Sequence, residues 1–438
     1  MGERIENWAK TASCEPHRYY VPLDEEEVAS IVTEAARLGR SVRVIGGGHS
    51  WSEAAMSDDL LVSLERISEI GSVEGMNVTV GAGTQVYALN RALAERGLAL
   101  SSVGSIGAQS IAGAISTATH GSSLQHGVMS EQVVALRMVT ADGSVRILSA
   151  QSEPELLDMA RVSFGCLGII TAVTLRCEPA FRLLVRGTPL DIDEAIGRAV
   201  ELGRAAEHAK LWWLPHTRKA MLFTAERVEA PREPRPLSDW LDEKVVNPYL
   251  FNSIVRLGDR VPALVAPLNR LVAAACFRPQ QRVEDSFRSL HIPMPPIHLE
   301  TEHALPLERA SEALGGVRAL IEDSGLRVNF IVELRYARGD RLPLSPCFGR
   351  DSCYIGGYIG RGRDAAAYMG AVEQLAANLD GRPHWGKRFT QTAEQLRPRY
   401  PLWDRFLEVR EQLDPDSRLL NPFARRALGL DQNSTLSP

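Results

Sequence analysis

A histidine directly behind three consecutive glycines is the first arrangement in this sequence that could do chemistry. Val42–Ile45 reads as a short β-branched strand and runs straight into Gly46-Gly47-Gly48-His49-Ser50. Glycine takes positive φ at no steric cost and lets backbone N–H groups close on a ligand. Successive N–H groups of this kind form an anion nest suited to a pyrophosphate. Alone, the triplet serves equally as a tight turn, and His49 equally as a hydrogen-bonded histidine at a loop end. Next to a dinucleotide, His49 would present a nucleophilic ring nitrogen. A second stretch, residues 104–122, is dense in Gly, Ala, Ser and Thr. Its middle fits a packing helix of small residues. Its polar, glycine-rich flanks fit a backbone that approaches a flat, extended ligand.

Two further patterns lie far downstream. Glu333 and Arg335 are two apart on a predicted strand, so both side chains share a face. Such an arginine keeps a carboxylate ionised and oriented; a surface ion pair is the plainer reading of the spacing. Arg382-Pro383-His384-Trp385-Gly386-Lys387 reads as a rigid turn that presents Lys387. By itself it is also compatible with a purely structural loop.

Taken together, these segments resemble the vanillyl-alcohol-oxidase-type (PCMH-type) flavoproteins, and within them the sugar-1,4-lactone oxidoreductases that act on L-gulono- or D-arabinono-lactones. The resemblance runs over nearly the whole chain and is weakest in residues 225–300. It implies FAD in the N-terminal half, cradled by Gly46, Gly47, Gly48, His49, Ser50, Gly104, Ser105, Ser110, Gly113, Ser116, Thr117, His120, Gly121, Ile169 and Lys387. It puts on His49 a covalent bond to the flavin. It makes Glu333, Arg335 and Lys387 catalytic, with Ser105, Glu333, Arg335 and His384 on the substrate. The implied reaction removes hydride from C2 of the lactone to flavin N5, with oxygen or another acceptor reoxidising the flavin. Gly104 aligns with a position that gates oxygen, and a glycine there leaves space, which favours an oxidase. An alditol or xylitol oxidase of the same fold is the first rival, and a non-catalytic FAD-binding redox module the second. A nicotinamide dehydrogenase is disfavoured, because no Gly-x-Gly-x-x-Gly precedes a helix.

The elements that must hold these residues are legible in outline. Asp24 and Glu27 cap a helix whose inner face is Val28, Ile31, Val32 and Ala35, with Gly39 as its stop. Thr84 is expected to cap a second helix that Gly97 ends. Strands are expected at 60–64, 78–80, 133–140, 145–148 and 169–175, with Asp142-Gly143 turning a hairpin. Beyond residue 180 the pattern predicts a strand at 181–190 and one long helix at 191–206. An exposed loop follows at 229–238, a helix at 306–323, strands at 328–336 and 352–358, and a helix at 364–379. Residues 391–429 read as helical. The fold expected is α+β: a two-subdomain FAD-binding domain over 1–180, an α+β cap with an antiparallel sheet over 181–380, and a segment 381–438 that returns to the first domain.

A chain of 438 residues is too long for one core. Its 45% hydrophobic and 24% charged residues are those of an ordinary soluble protein. A net charge of −5 without a basic block argues against a nucleic-acid partner. Residues 1–10 lack the apolar core of a signal peptide. Six scattered cysteines with no Cys-x-x-Cys suggest free thiols and a cytoplasmic setting and make a zinc site unexpected, so no metal site is assigned. The longest apolar run, 261–277, is interrupted by prolines and polar residues and reads as a buried helix pair or, second, a surface patch; membrane association is open but finds no support there.

Overall fold

The computed structural model describes residues 4–233, 249–292 and 295–430. The first helix, Glu25–Leu38, is built as its sequence prescribes: Asp24 accepts from the Glu27 N–H, Gly39 closes the end at φ 62°, and Val28, Ile31, Val32 and Ala35 are buried. It feeds a parallel three-stranded sheet in which Leu60–Ser63 lies between Arg18–Tyr20 and Val42–Ile45. A five-stranded antiparallel sheet follows, in the order Val145–Ser149, Val133–Val139, Ile169–Arg176, Asn77–Gly81, Ile70–Glu74. The hairpin pairs Val139 with Val145 across the Asp142-Gly143 turn, where Gly143 has φ 83°.

The second half is organised on an eight-stranded antiparallel sheet. Its order is Gln280–Asp285, Arg182–Asp191, Lys219–Val228, His208–Trp213, Val332–Ala337, Ser352–Ile359, Leu299–Pro306, Arg382–Pro383. The helices Ala310–Ser324 and Ala365–Asn378 cover it through Ala313, Leu314, Val317, Tyr368 and Val372, all within one hydrophobic core. A separate core fills the N-terminal half. It takes in Leu342, Leu344 and Cys347 from the middle of the chain and Trp385, Tyr400, Phe406 and Phe423 from its far end. The architecture is α+β.

Several elements depart from the sequence reading. The long helix expected at 191–206 is two short ones, Ile192–Gly197 and Ala199–Gly203, broken at Arg198, where Gly197 weakens the helix. Thr84 is not a cap: helix Val86–Glu95 starts after Gln85, and the Thr84 hydroxyl is buried without a hydrogen-bond partner. Pro306 ends a strand, Leu299–Pro306, instead of opening a helix; its extended backbone (ψ 137°) passes into a 3₁₀ turn, Leu307–Arg309, before helix Ala310–Ser324. Of the strand expected at 328–336, only Val332–Ala337 pairs.

The 261–277 run is a 3₁₀ turn, Pro262–Leu264, and one helix, Val265–Cys276. It buries Val265, Asn269, Ala273 and Phe277 at four-residue intervals, and leaves Val261, Leu264 and Leu271 exposed. The expected buried pair is thus one helix, of which only one face meets the domain while the other lies at the surface. No helix among the described residues is long and apolar enough to cross a membrane. Residues 229–233 are exposed, while 234–238 of the expected loop, 1–3 of the expected leaderless start and 431–438 of the expected returning segment lie outside the described residues. Cys14, Cys166, Cys177, Cys347 and Cys353 are free and buried, and Cys276 is exposed.

Candidate active site

Strand Val42–Ile45 delivers the glycine loop against the loop at 108–110. A Cβ on Gly46 would stand 2.0 Å from Ser110 Oγ, and one on Gly47 2.3 Å from the Ala108 carbonyl oxygen. Gly46 is thus demanded by the Ser110 side chain pressed against it and Gly47 by the facing backbone; Gly48, at φ 66°, is demanded by conformation. Ser110 caps the short helix Ile111–Ser116, accepting from the Gly113 N–H. Between these loops opens a cavity with about 1350 Å³ of non-atom space, mouth included. Gly46, Gly47, Gly48, His49, Ser50, Ser110, Gly113, Ser116, Thr117 and Ile169 line it.

Arg43 lines the same cavity and is fully buried. Its guanidinium donates to the carbonyls of Ala54, Phe164 (2.7 Å), Gly165 (3.2 Å) and Leu419 (2.6 Å), so one side chain gathers three distant segments. Asn421 adds bonds to the carbonyls of Glu53, Ala54 and Met56. The close approach of glycine backbone and the capped helix start suit an extended phosphate-bearing ligand such as a dinucleotide.

A second cavity, about 650 Å³ with its mouth, shares His49, Ser50, Gln109 and Thr117 with the first. His49 packs on Trp8 with ring centroids 5.7 Å apart. Burial, and then the charge of Lys387, push its imidazole down to about 4, so the ring is neutral at pH 7 and keeps a free lone pair.

One face of the large sheet walls the second cavity. Trp212 pairs with Glu333, Glu333 with Gly356, and Gly356 with Glu302, so these four stand in a row across four strands. Directly opposed residues on antiparallel strands share a face. Two positions along the strand, Glu300 faces Tyr358 across its own pair. Each buried carboxylate has a cation. Lys387 Nζ lies 2.6 Å from Glu300, Arg335 3.9 Å from Glu302, and Lys210 3.9 Å from Glu333. Without such partners, burying three carboxylates would be prohibitive. Trp212 Nε1 and Tyr358 Oη each donate to Glu333 at 2.6 Å, one to each oxygen.

Lys387 also sits over the Trp51 ring, 4.1 Å from its centroid. Burial drives the Glu302 carboxyl up, but His120, Lys387 and Arg335 together hold it well below the usual range. Glu300 is likewise lowered, by Lys387 and His298 against burial. Burial pushes down the imidazoles of His120 and His384, and the Lys210 ammonium.

Of the residues singled out from sequence, Ser105, His120, Glu333, Arg335, His384 and Lys387 line this second cavity. Gly104 and Gly121 line neither. The space expected beside Gly104 is taken by the Thr119 methyl, 2.4 Å from where a Cβ would stand, so the room inferred there is filled. A Cβ on Gly121 would meet Ser102 Oγ at 2.3 Å. Glu300, Glu302, His298, Tyr358 and Lys210 escaped the sequence reading. The alternation His298-x-Glu300-x-Glu302 ahead of Pro306 is a period-two signal that could have found three of them.

Several buried polar atoms here lack hydrogen-bond partners: His120 Nε2, both Glu302 oxygens and Arg335 Nε. Orphaned donors and acceptors side by side suit a ligand rich in hydroxyls, each of which can give and take a hydrogen bond.

A family model described as D-arabinono-1,4-lactone oxidase matches residues 173–427, and one described as FAD binding domain matches residues 16–149. An L-gulono-1,4-lactone dehydrogenase of Mycobacterium tuberculosis is 36% identical over 97% of this chain and 98% of its own length. An L-gulonolactone oxidase of Mus musculus is 32% identical with the same coverage. A D-arabinono-1,4-lactone oxidase of Yarrowia lipolytica is 33% identical over 88% of this chain and 86% of its own. Among solved structures, cholesterol oxidase from Brevibacterium sterolicum superposes with a TM-score of 0.83 at 15% identity, covering 98% of this chain and 97% of that one. At that identity the likeness speaks to the fold alone.

Proposed function

The chain belongs to the sugar-1,4-lactone oxidases and dehydrogenases, and on that premise we propose that it oxidises an L-gulono- or D-arabinono-type 1,4-lactone at C2. It is an FAD-dependent oxidoreductase of the PCMH-type fold. The observation that carries the finer reading is the junction of the two cavities at His49, Ser50, Gln109 and Thr117. Bound FAD would supply a hydride acceptor there.

The protein's own residues do the rest. Gly46, Gly47, Gly48, Ser50, Ser110, Gly113, Ser116, Thr117 and Ile169 hold the dinucleotide. The neutral His49 ring carries the covalent attachment. Arg335 and Lys387 stabilise negative charge developing on the reacting oxygen. Glu333, fixed by Trp212 and Tyr358, accepts from substrate hydroxyls, and Lys210 balances its charge. Ser105, His120, Glu302 and His384 complete the polar lining. Three carboxylates against three cations leave the cavity near neutral, which suits an uncharged lactone. The N-terminal half and the returning C-terminal segment form the FAD domain on this reading, and the eight-stranded sheet forms the cap.

Steady-state turnover of a panel of γ-lactones and alditols, with peroxide and dye reduction followed in parallel, tests the function. Lactone turnover exceeding alditol turnover supports it; the reverse order selects the polyol-oxidase alternative. Peroxide yield decides between oxygen and another acceptor, since relatives of both kinds match the chain. For the covalent attachment, denatured wild-type protein should keep flavin fluorescence on a gel and His49→Ala should not. Equal loss from both removes the claim.

A further inference from the structure

Outside both cavities, the segment that follows the second flavin loop meets the start of strand His208–Trp213. Ala209 N–H donates to the Ser122 carbonyl at 3.1 Å, and Ser123 N–H to the Tyr336 carbonyl at 2.8 Å. At this seam His126 Nε2 stands 2.9 Å from Glu207 Oε1, and His208 Nε2 3.7 Å from the same oxygen. The donor atoms of the three residues all lie within 4.8 Å of one another. His208 is 4% exposed, and neither of its ring nitrogens has a hydrogen-bond partner. A buried imidazole with both nitrogens unsatisfied is costly in a finished fold.

From this geometry we propose that His126, Glu207 and His208 form a site for a divalent transition cation of the zinc class, joining the two halves of the molecule. Two imidazoles and one carboxylate are a donor set that such ions take, with water in the fourth position. Metal–ligand bonds of about 2.0–2.2 Å in a tetrahedron set neighbouring donors roughly 3.3 Å apart, and the observed 2.9 and 3.7 Å bracket that spacing. The outer shell is present as well. Arg227 Nε donates to both Glu207 oxygens, at 2.9 and 3.0 Å, and Arg227 is in turn held by Glu178 through two bonds of 2.8 Å. Such partners orient the ligating carboxylate. Because His126 comes from the N-terminal half and Glu207-His208 from the sheet of the second, a bound ion stabilises the seam by mass action.

The test is calorimetric titration of the chelator-treated, flavin-loaded protein with Zn²⁺, alongside melting curves with and without the ion. His120, Glu302 and His384 are a second two-histidine, one-carboxylate set, inside the second cavity, so His384→Gln serves as the control. The proposal expects one equivalent bound by wild type and by His384→Gln, and none by His126→Gln or His208→Gln. The ion should raise the melting temperature of wild type and leave that of His208→Gln unmoved. Should the buried His208→Gln fail to fold, the part-exposed His126→Gln carries the test. No binding by wild type, unchanged binding by both seam variants, or loss only in His384→Gln overturns the proposal.

Discussion

The two cavities meet at one histidine yet are built by opposite means. The first is made of backbone: glycines pressed against a facing loop, a short capped helix and small side chains drawn mostly from one stretch of about 130 residues. The second is made of side chains, long and charged, carried by three sheet strands and a turn that are far apart in sequence. A backbone site tolerates little added volume but asks little of charge. A side-chain site depends on every carboxylate keeping its cation. The difference separates holding a cofactor from acting on a substrate, and single substitutions should separate them too.

The largest effect is expected from Arg335→Ala, which leaves Glu302 and Glu333 short of a buried positive charge. We expect kcat/KM to fall by roughly 10²–10³, with flavin content unchanged in the absorption spectrum. Parallel loss of flavin would mean that the two sites are not separable. Gly47→Ala is the converse. Its methyl would drive into the Ala108 carbonyl, and flavin occupancy should drop about tenfold, which is ~1.4 kcal/mol. Full occupancy in that variant would show that the loop yields and the cradle is not rigid. Lys210→Met comes next: KM should rise roughly tenfold with a smaller change in kcat, by leaving a buried carboxylate without its partner. Lys210→Arg should restore most of it. Failure of the arginine to do so would mark Lys210 as packing for Trp212 and Phe223, over whose rings it also lies.

The smallest effect concerns the other face of the acidic strand, where His303 is fully buried and bonded to Thr301 Oγ1 at 2.9 Å. Burial pushes its imidazole from 6.5 down to about 4. Between those values the unfolded chain binds a proton that the folded one refuses, so stability is complete above pH 6.5 and declines as pH falls toward 4. In His303→Gln the fall of melting temperature across that window should be shallower; an identical slope would show that this ring does not titrate on unfolding.

The same contrast explains what the sequence disclosed. Backbone sites leave a local mark, because glycine and small residues must sit where a Cβ has no room. Gly46 and Gly47 announce themselves in that way, and Gly48 by its positive φ. Glu333 and Arg335 are legible as a pair because they share one strand. Glu300 and Glu302 were hidden, since Pro306 draws the eye to a helix start and the strand before it was missed. Lys210 reaches Glu333 only because His208–Trp213 pairs with Val332–Ala337, and no local pattern encodes that pairing. Gly104 misled for a related reason: whether a glycine leaves a gap depends on a neighbour, Thr119, that strand order and spacing do not reveal.

Arg43 and its partner Leu419 are 376 residues apart in the chain. A ribosome adding about 5–20 residues per second needs on the order of tens of seconds to travel that distance. Throughout that interval the nascent glycine loop has no Leu419 carbonyl for its arginine and no Asn421 amide bracing the 53–56 turn. The cavity whose opening strand is made among the first fifty residues therefore gains these braces only after residues 419–421 have been synthesised.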